Sequence, residues 1–255
     1  MDLEHKPLTT AKDSVVIRPF YPSDASHVLN VYFTGLVSGV DSAGYFALTR
    51  AFLHWIPMYI AYILSLSGGG VLLLALRTDF QILGLAIVLL SCCFILFIYY
   101  RIRNTFLGYY QDGLRHDMTD ISQYYRQDHE KNGSPIRCFW VAEIPSMTSE
   151  TGYEVVGCVA LDCSTNNNGP LVGELKRLFV LPNCRKRGIG TKLMQTVIAF
   201  AKEKKISSLQ LETTNFQPVA REMYSRLGWY HSATRDSDFE AGGMKMNFVE
   251  YMLPL

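Results

Sequence analysis

This sequence is poor in charge over a long internal stretch and lacks the common nucleotide-binding motifs. Between Ala51 and Tyr100 the only full charges are Arg77 and Asp79. No Gly-Lys-Ser/Thr triplet occurs, which excludes a Walker-type phosphate loop, and Gly-x-Gly-x-x-Gly is absent as well. The sequence also has no internal repeats and no low-complexity segments, so a repeat architecture is excluded.

Cysteine is present but shows no pattern. The six cysteines have no Cys-x-x-Cys spacing and are too sparse for a disulfide framework. We therefore expect reduced thiols in a core or a membrane, as suits a cytosolic catalytic domain. The chain has 24 Lys+Arg against 23 Asp+Glu. Its basic segments lack interleaved aromatic residues, so we expect no nucleic-acid partner.

The uncharged stretch predicts a membrane hairpin. Arg77-Thr78-Asp79 separates two apolar runs, Phe52–Leu76 and Phe80–Tyr100. Each run is long enough to cross a hydrocarbon core of about 30 Å. Pro57 and the triplet Gly68-Gly69-Gly70 are expected to kink the first run or to hold part of it in the interface. Both runs begin after residue 50, so we expect neither to be a cleavable signal peptide. A buried core hairpin is the alternative.

The short connector predicts that both chain termini lie on one side of the membrane. Basic residues near the outer ends of the hairpin outnumber the lone Arg77 of the connector; they are Arg50, Arg101, Arg103 and Arg115. The positive-inside rule therefore places the termini and the catalytic domain in the cytosol. A glycan on the sequon Asn132-Gly133-Ser134 would contradict this orientation.

The most informative segment runs from Glu174 to Gly190. An apolar strand leads into a basic turn that contains two glycines, and a helix follows at Thr191. Such a turn presents free backbone N–H groups and a positive helix dipole to an anion, normally a pyrophosphate. Between Lys176 and Lys205 there are nine basic residues and one acid in a near-neutral chain. For the lysines at the end of this helix, a solvated basic face is the alternative.

The spacing Arg-x-x-Gly-x-Gly at Arg185–Gly190 resembles the coenzyme A pyrophosphate loop of the GCN5-related N-acetyltransferases. Further segments resemble the camello-type membrane-bound branch, which includes the cysteine-S-conjugate and aspartate N-acetyltransferases of the endoplasmic reticulum. These segments are Ile17–Phe20, Pro22–Asp24, Asp117–Ile121, Cys138–Glu143, Val156–Val159, Thr214-Asn215 with Ala220, and Tyr224–Trp229. The resemblance covers nearly the whole chain. Lys186 departs from it, because glycine is common at that position, and Trp229 replaces a usual phenylalanine.

The resemblance implies an α+β fold with a mixed α/β sheet, splayed between its fourth and fifth strands, and with the membrane hairpin as an insertion. We divide the chain into residues 1–50, an early strand and helix; 51–102, the hairpin; and 103–255, the rest of the acetyltransferase domain. The residue pattern predicts strands at Val15–Phe20, Cys138–Ile144, Val155–Leu161, Leu175–Leu181, Ser208–Thr213 and Met244–Met252. It predicts helices that include Phe106–Glu130, Thr191–Lys205 and Val219–Leu227.

The resemblance also implies roles for individual residues. The pyrophosphate would be held by the loop and helix start, namely Arg185, Lys186, Arg187, Gly188, Ile189, Gly190 and Thr191. Backbone groups of Leu178, Phe179 and Val180 would bind the pantetheine and polarise the thioester. Tyr224 would protonate the leaving sulfur, although a packing tyrosine is the alternative. Asn215 is a further candidate for contact with the donor.

Glu174 is the predicted general base, and Glu212 and His231 are reserves. The alternative is a strand glutamate paired with Lys176 or Arg177. Arg177 itself could hold an acceptor carboxylate. Three polar residues share one helical turn, but no third metal-liganding side chain is evident, so we expect no metal site; the three are His116, Asp117 and Asp120.

Together these expectations describe a membrane-bound N-acetyltransferase of an intracellular membrane, the endoplasmic reticulum by resemblance. It would move acetyl from acetyl-coenzyme A to the primary amine of a small amino acid or amino-acid conjugate, beside the lipid bilayer. A protein lysine or N-terminal acetyltransferase is the rival enzyme. A membrane adaptor that has lost turnover is the rival from another class.

Overall fold

The computed structural model describes residues 15–74, 76–125, 136–147, 152–163 and 171–255, apart from the side chains of residues 238 and 239. The chain forms two compact units. The first comprises Met1–Tyr32, Asp117–Leu211 and Met252–Leu255, and the second comprises Phe33–His116 and Glu212–Tyr251. The predicted sequon and residues 126–130 of the predicted helix lie outside the described residues.

The helices are α1 (Ala25–Phe33), α2 (Ala43–His54), α3 (Ile56–Leu74), α4 (Thr78–Arg115), α5 (Ile121–Tyr124), α6 (Ile189–Glu203) and α7 (Pro218–Arg226). The strands are β1 (Val16–Pro19), β2 (Arg137–Pro145), β3 (Tyr153–Asp162), β4 (Val172–Val180), β5 (Ser208–Thr214), β6 (Tyr230–Ala241) and β7 (Met244–Pro254). Short 3₁₀ turns cover Pro22–Asp24 and Pro182–Cys184, and a π-helical turn covers Thr34–Ser38.

The first unit contains a mixed sheet. Its strands lie in the order β1-β2-β3-β4-β5. Each of the first four is antiparallel to its neighbours among them, and β5 is parallel to β4. Helix α6 covers one face, where the Phe200 ring lies 5.1 Å from that of Trp140. The other face is covered by α1 and the segment around α5, with Tyr32 against Phe179 and Tyr125 against Phe139. The predicted mixed α/β sheet is confirmed.

Pairing between β4 and β5 is short. The register runs from Val172–Ser208 to Leu175–Leu211, although β4 continues to Val180. From Lys176 onward β4 pairs only with β3 among the described residues. The expected separation of the fourth and fifth strands is therefore present, and it leaves one edge of β4 open.

In the second unit α4 is one helix of 38 residues, about 57 Å long at 1.5 Å per residue. We predicted a separate amphipathic helix from Phe106 to Glu130, and this was wrong. No glycine or proline lies between Tyr100 and Phe106, so nothing interrupts the backbone hydrogen bonds after the apolar run. The helix ends at Arg115, and α5 is a separate single turn.

The first apolar run is interrupted, as expected, at its proline. Helix α2 ends at His54, Trp55 is extended, and Pro57 lies in the first turn of α3. The Tyr62 hydroxyl donates to the Phe52 carbonyl at 3.1 Å and the Tyr59 hydroxyl donates to the Leu53 carbonyl. These two tyrosines satisfy carbonyls at the end of α2 that have lost their helical donors. The glycine triplet, in contrast, does not interrupt α3.

Helices α3 and α4 approach closely at two glycines. A Cβ on Gly84 would lie 2.7 Å from the Gly68 carbonyl oxygen and 2.7 Å from the Leu72 nitrogen, and one on Gly68 would lie 2.8 Å from the Ile87 side chain. The outer faces expose large apolar side chains, including Leu66, Leu73 and Leu90. Both helices are long and apolar enough to cross a membrane by length and composition.

Sequence analysis missed β6. Beyond β5 the strand order is β7-β6, so within the described part of the chain β6 is an edge strand that pairs with β7 alone. Of the eight residues after Tyr230, seven are polar or charged and the eighth is Ala233. The strand therefore lacks the apolar alternation of a half-buried strand. The turn Gly242-Gly243, where both residues have positive φ, joins the two strands.

Candidate functional site

The loop after β4 is shaped by two residues with left-handed backbone. Lys186 has φ +62° and Gly188 has φ +76°. Gly188 is the N-cap of α6, and a Cβ there would meet nothing within 4 Å. Glycine is therefore favoured at 188 by conformation and not by crowding. The left-handed φ of Lys186 also explains why glycine is common at that position in the resembling family.

The start of α6 presents unpaired donors. The first intrahelical bond runs from the Lys192 N–H to the Gly188 carbonyl at 3.0 Å. The N–H groups of Ile189, Gly190 and Thr191 therefore have no acceptor within the helix. With the helix dipole they form an anion-binding end. The Arg185 Nε donates to the Val180 carbonyl at 3.0 Å, which ties the loop to the end of β4.

A β-bulge lies where β4 loses its partner on the β5 side. Ala160 pairs with Lys176 and Cys158 pairs with Phe179, so Arg177 and Leu178 together oppose Val159. Arg177 has φ +55°, in the left-handed region. Bulges re-aim backbone and side-chain groups and are common beside active sites. The open edge of β4 thus carries a local change of direction at Leu178, within the predicted pantetheine-binding segment.

Arg177 is held by a buried network. Its Nε donates to Asp117 Oδ2 at 2.9 Å, its Nη2 donates to Asp117 Oδ1, and its Nη1 donates to the Tyr32 hydroxyl at 2.9 Å. The Tyr125 hydroxyl also donates to Asp117, at 2.5 Å. Burial alone would raise the Asp117 pKa, but the hydrogen bonds and charge of Arg177 hold that pKa below its usual value. The guanidinium predicted to hold an acceptor is thus engaged by Asp117 and Tyr32.

Glu174 lies in a second ionic cluster on the same strand. The Lys176 ammonium is 3.0 Å from Glu174 and 3.3 Å from Asp162. The buried Asp162 carboxylate also accepts from Arg137 at 3.2 Å and from the Tyr124 hydroxyl at 3.0 Å. Glu174 is paired with Lys176, as in the structural alternative, yet a quarter of its side chain is exposed. It therefore remains accessible to a proton-relaying water.

The three residues weighed as metal ligands have separate roles. Asp117 binds Arg177, and Asp120 accepts the Gln123 N–H at 2.9 Å as the N-cap of α5. The His116 Nδ1 lies 2.7 Å from the Asp112 carbonyl. Across the described residues no three His, Cys, Asp or Glu side chains are grouped as metal ligands.

The predicted acid lies in the second unit. Tyr224, on α7, is 5% exposed, and its ring lies 5.6 Å from Tyr251 and 6.3 Å from Trp229. Burial raises the Tyr224 pKa and Tyr251 raises it further. The phenol is therefore neutral at physiological pH and can act as a hydrogen donor.

The other candidates of the second unit make contacts of their own. Asn215 donates from Nδ2 to the Lys245 carbonyl at 3.1 Å and accepts the Asn247 N–H at 3.1 Å, so its side chain joins the end of β5 to β7. Arg235 bridges Glu212 and Glu250. The exposed His231 lies 2.8 Å from the Thr234 hydroxyl.

All six cysteines are free, as expected. Four of them are buried and the adjacent pair Cys92 and Cys93 is exposed on α4. Burial raises the pKa of Cys158 to about 12 and that of Cys163 to about 12. These two thiols stay protonated at neutral pH and are poor nucleophiles.

Sequence reasoning missed Asp117, Tyr32 and Tyr125 as partners of Arg177. Asp117 and Arg177 are 60 positions apart, and no periodicity connects them. The only signal was the pair of segments around them that carry the family resemblance.

Comparison with known proteins supports the resemblance. The model of the acetyltransferase (GNAT) family matches residues 99–229. A Xenopus tropicalis protein described as "Probable N-acetyltransferase camello" is 30% identical over 86% of this chain and 87% of its own length. The Xenopus tropicalis N-acetylaspartate synthetase is 29% identical over 86% of this chain and 71% of its own length.

Solved structures include a GNAT-family acetyltransferase from Staphylococcus aureus Mu50. It is 16% identical, covers 95% of this chain and 99% of its own, and superposes with a TM-score of 0.49. The family assignment comes from the sequence matches and not from this superposition.

Proposed function

Because this chain belongs to the acetyltransferase (GNAT) family and is an acetyl-coenzyme A-dependent N-acetyltransferase, we propose that its acceptor is the primary amine of a small amino acid or amino-acid conjugate. Relatives named N-acetylaspartate synthetase support this class of acceptor. We further propose that the enzyme works at a membrane, which the α3–α4 hairpin would span. The insertion at residues 51–102 remains part of this proposal.

The observation that carries the donor site is the open edge of β4 beside the N-terminus of α6. The pyrophosphate would bind the N–H groups of Gly188–Thr191, with Arg185, Lys186 and Arg187 adding positive charge. Backbone groups of Leu178–Val180 would pair with the pantetheine as an extra strand does. The Leu178 N–H would then polarise the thioester carbonyl, a contribution commonly worth about 3 kcal/mol.

The proton steps would use a carboxylate and a phenol. Glu174 would accept a proton from the acceptor ammonium through water, so that a neutral amine attacks the thioester carbonyl. The attacking nitrogen gives its second proton to water, the tetrahedral intermediate collapses with cleavage of the C–S bond, and, by the family resemblance, Tyr224 donates its O–H hydrogen to the departing sulfur. Because burial raises its pKa, Tyr224 keeps its O–H hydrogen until the sulfur departs.

The membrane proposal is supported by the exposed leucines of the hairpin and by the tyrosine-capped corner at its start. Exposed apolar surfaces that extend along two helices are rare on soluble monomers. The charge asymmetry of the sequence favours a cytosolic catalytic domain. The resemblance of the sequence to the camello-type branch favours the endoplasmic reticulum.

An acceptor screen on the purified full-length enzyme tests this function. Radiolabelled acetyl-coenzyme A is offered with L-aspartate, S-benzyl-L-cysteine, other free amino acids and lysine-containing peptides. Acetylation of an amino acid or conjugate is expected, and Tyr224→Phe should lower kcat by about 100-fold. The control Tyr153→Phe, at an exposed tyrosine, should leave kcat unchanged.

Other outcomes would overturn parts of the proposal. Transfer to peptides alone would establish the rival protein acetyltransferase. No transfer to any amine would favour an inactive adaptor. Glycosylation of Asn132 in cells would show that the catalytic domain lies in the lumen, contrary to the proposed orientation.

A further inference from the structure

Arg177 adopts a backbone conformation that its side chain does not favour. Its φ of +55° lies in the left-handed region, where the Cβ of an L-residue crowds the following carbonyl. Left-handed residues in β-bulges are usually glycine. A bulky arginine persists there only if its surroundings hold it.

The side chain of Arg177 is held at several points. Asp117 accepts from Nε and Nη2, and the Tyr32 hydroxyl accepts from Nη1. The guanidinium carbon also lies 4.9 Å from the centre of the Tyr32 ring. Asp117 is only 4% exposed and is fixed in turn by the Tyr125 hydroxyl. A planar fork with two bonds to one carboxylate has a defined orientation as well as position.

The backbone on either side of Arg177 is held as well. The buried Cys158 thiol donates to the Arg177 carbonyl at 3.3 Å. The Phe179 ring packs against Tyr32, 5.2 Å between centroids. The Arg177 carbonyl and the Leu178 N–H belong to one trans peptide group, in which they point in opposite directions. Because the carbonyl points toward Cys158 of β3, the Leu178 N–H points away from Cys158.

We propose that Arg177 is a positioning residue, and that its clamp by Asp117 and Tyr32 holds the left-handed bulge which aims the Leu178 N–H at the thioester carbonyl. This rests on the proposed placement of the donor along β4. Arg177 acts through the backbone and does not touch the acceptor. The clamp supplies by side-chain contacts the conformation that a glycine would adopt freely.

The test compares Arg177→Ala with Arg177→Gly, because both delete the clamp but only glycine tolerates positive φ. Isotope-edited infrared spectra are recorded for acetyl-coenzyme A with a ¹³C carbonyl, bound to the full-length enzyme without acceptor. In the wild type the carbonyl band should lie at lower frequency than in free acetyl-coenzyme A. Arg177→Ala should return it toward the free value, and Arg177→Gly should recover most of the shift.

Kinetics give an independent readout with L-aspartate or whichever acceptor is turned over. Arg177→Ala should lower kcat at least tenfold with less than a twofold change in the acceptor KM, and Arg177→Gly should regain several-fold of that loss. Asp117→Asn, which keeps Arg177 but breaks the clamp, should resemble Arg177→Ala. The thermal shift given by coenzyme A should be similar in all variants that fold.

Three results would overturn the clamp. Equal infrared shifts in the wild type and Arg177→Ala would show that the bulge does not depend on Arg177. Equal increases of the acceptor KM in the Ala and Gly variants, with kcat kept, would make Arg177 an acceptor ligand. A wild-type band at the free frequency would refute the placement of the donor on β4 itself. The two infrared results do not depend on which amine is the natural acceptor.

Discussion

The first unit and the α3–α4 hairpin of the second unit treat charge and apolar surface in opposite ways. In the first unit carboxylates are buried and paired, as Asp162 is with Arg137 and Lys176. In the hairpin the ion pair between Arg77 and Asp79 is exposed in the connector, and the leucines face outward. The first unit is organised around a polar site within an apolar core. The hairpin is organised for an apolar surrounding, with close packing at glycines.

The largest expected effect is the difference in unfolding free energy between removing a buried carboxylate and removing an exposed one. Asp162→Asn removes the buried carboxylate shared by Arg137, Lys176 and Tyr124. It leaves Arg137 without this charge partner and Lys176 with Glu174, which should cost about 3 kcal/mol of unfolding free energy. Asp79→Asn, at a carboxylate that is 76% exposed, should change it by less than about 1 kcal/mol. Chemical denaturation in detergent measures both. Equal losses would contradict the contrast.

Glycine packing in the hairpin is the next largest effect. An alanine at Gly84 would place its Cβ 2.7 Å from backbone atoms of α3, so the helices must separate at a cost of about 1–3 kcal/mol. Gly70→Ala is the matched control on α3, because nothing lies within 4 Å of its Cβ. Thermal unfolding should show a lower midpoint for Gly84→Ala alone. If Gly70→Ala is destabilised as well, the loss of stability would come from backbone conformation and not from close packing.

In the loop before α6, proposed to bind the donor, glycine is needed for conformation and not for space. Gly188→Ala introduces a side chain at φ +76° and should cost about 1–2 kcal/mol while raising the KM for acetyl-coenzyme A. Gly152→Ala, at φ +75° and also with nothing within 4 Å, should cost a similar amount but leave that KM unchanged. If both variants alter the KM alike, the loop does not bind the donor.

The tyrosine cap of the α2–α3 corner has a smaller effect. Tyr62→Phe removes the donor to the Phe52 carbonyl and should cost about 1 kcal/mol. Tyr45→Phe, on the exposed side of α2, should be neutral. The difference should be read from denaturation midpoints of the two variants in one detergent. A neutral Tyr62→Phe would indicate that water already serves the carbonyl.

The pH dependence of stability should come from the first unit. The pKa of Asp117 is lowered in the folded protein from 3.8, because Arg177 outweighs the effect of burial. A lowered folded pKa gives stabilisation that is complete above the unfolded value and is lost as the pH falls through the folded value. Wild-type denaturation midpoints should therefore fall below about pH 4, and Asp117→Asn should show a shallower decline. Parallel curves would assign the acid sensitivity to other groups.

Local patterns predicted much of this protein. The strand at Leu175, the turn at Arg185–Gly190 and the helix after it follow from apolar runs, glycine and helix-start chemistry, which act between near neighbours. The hairpin follows from fifty residues with two charges. The predicted helix boundary near Phe106 was wrong because it was placed at a change in composition, although no residue there breaks a helix. Strand β6 was missed because an edge strand needs little apolar alternation.

The sequence by itself determined the family, the basic glycine-containing turn before α6 and the apolar hairpin, because each depends on residues close together in the chain. Only the tertiary structure decided what Arg177 contacts, where β4 loses its partner and which glycines bring α3 and α4 together. Those features depend on residues 16 to 145 positions apart. A pairing over such distances is selected by how folded elements pack, and no local pattern encodes it.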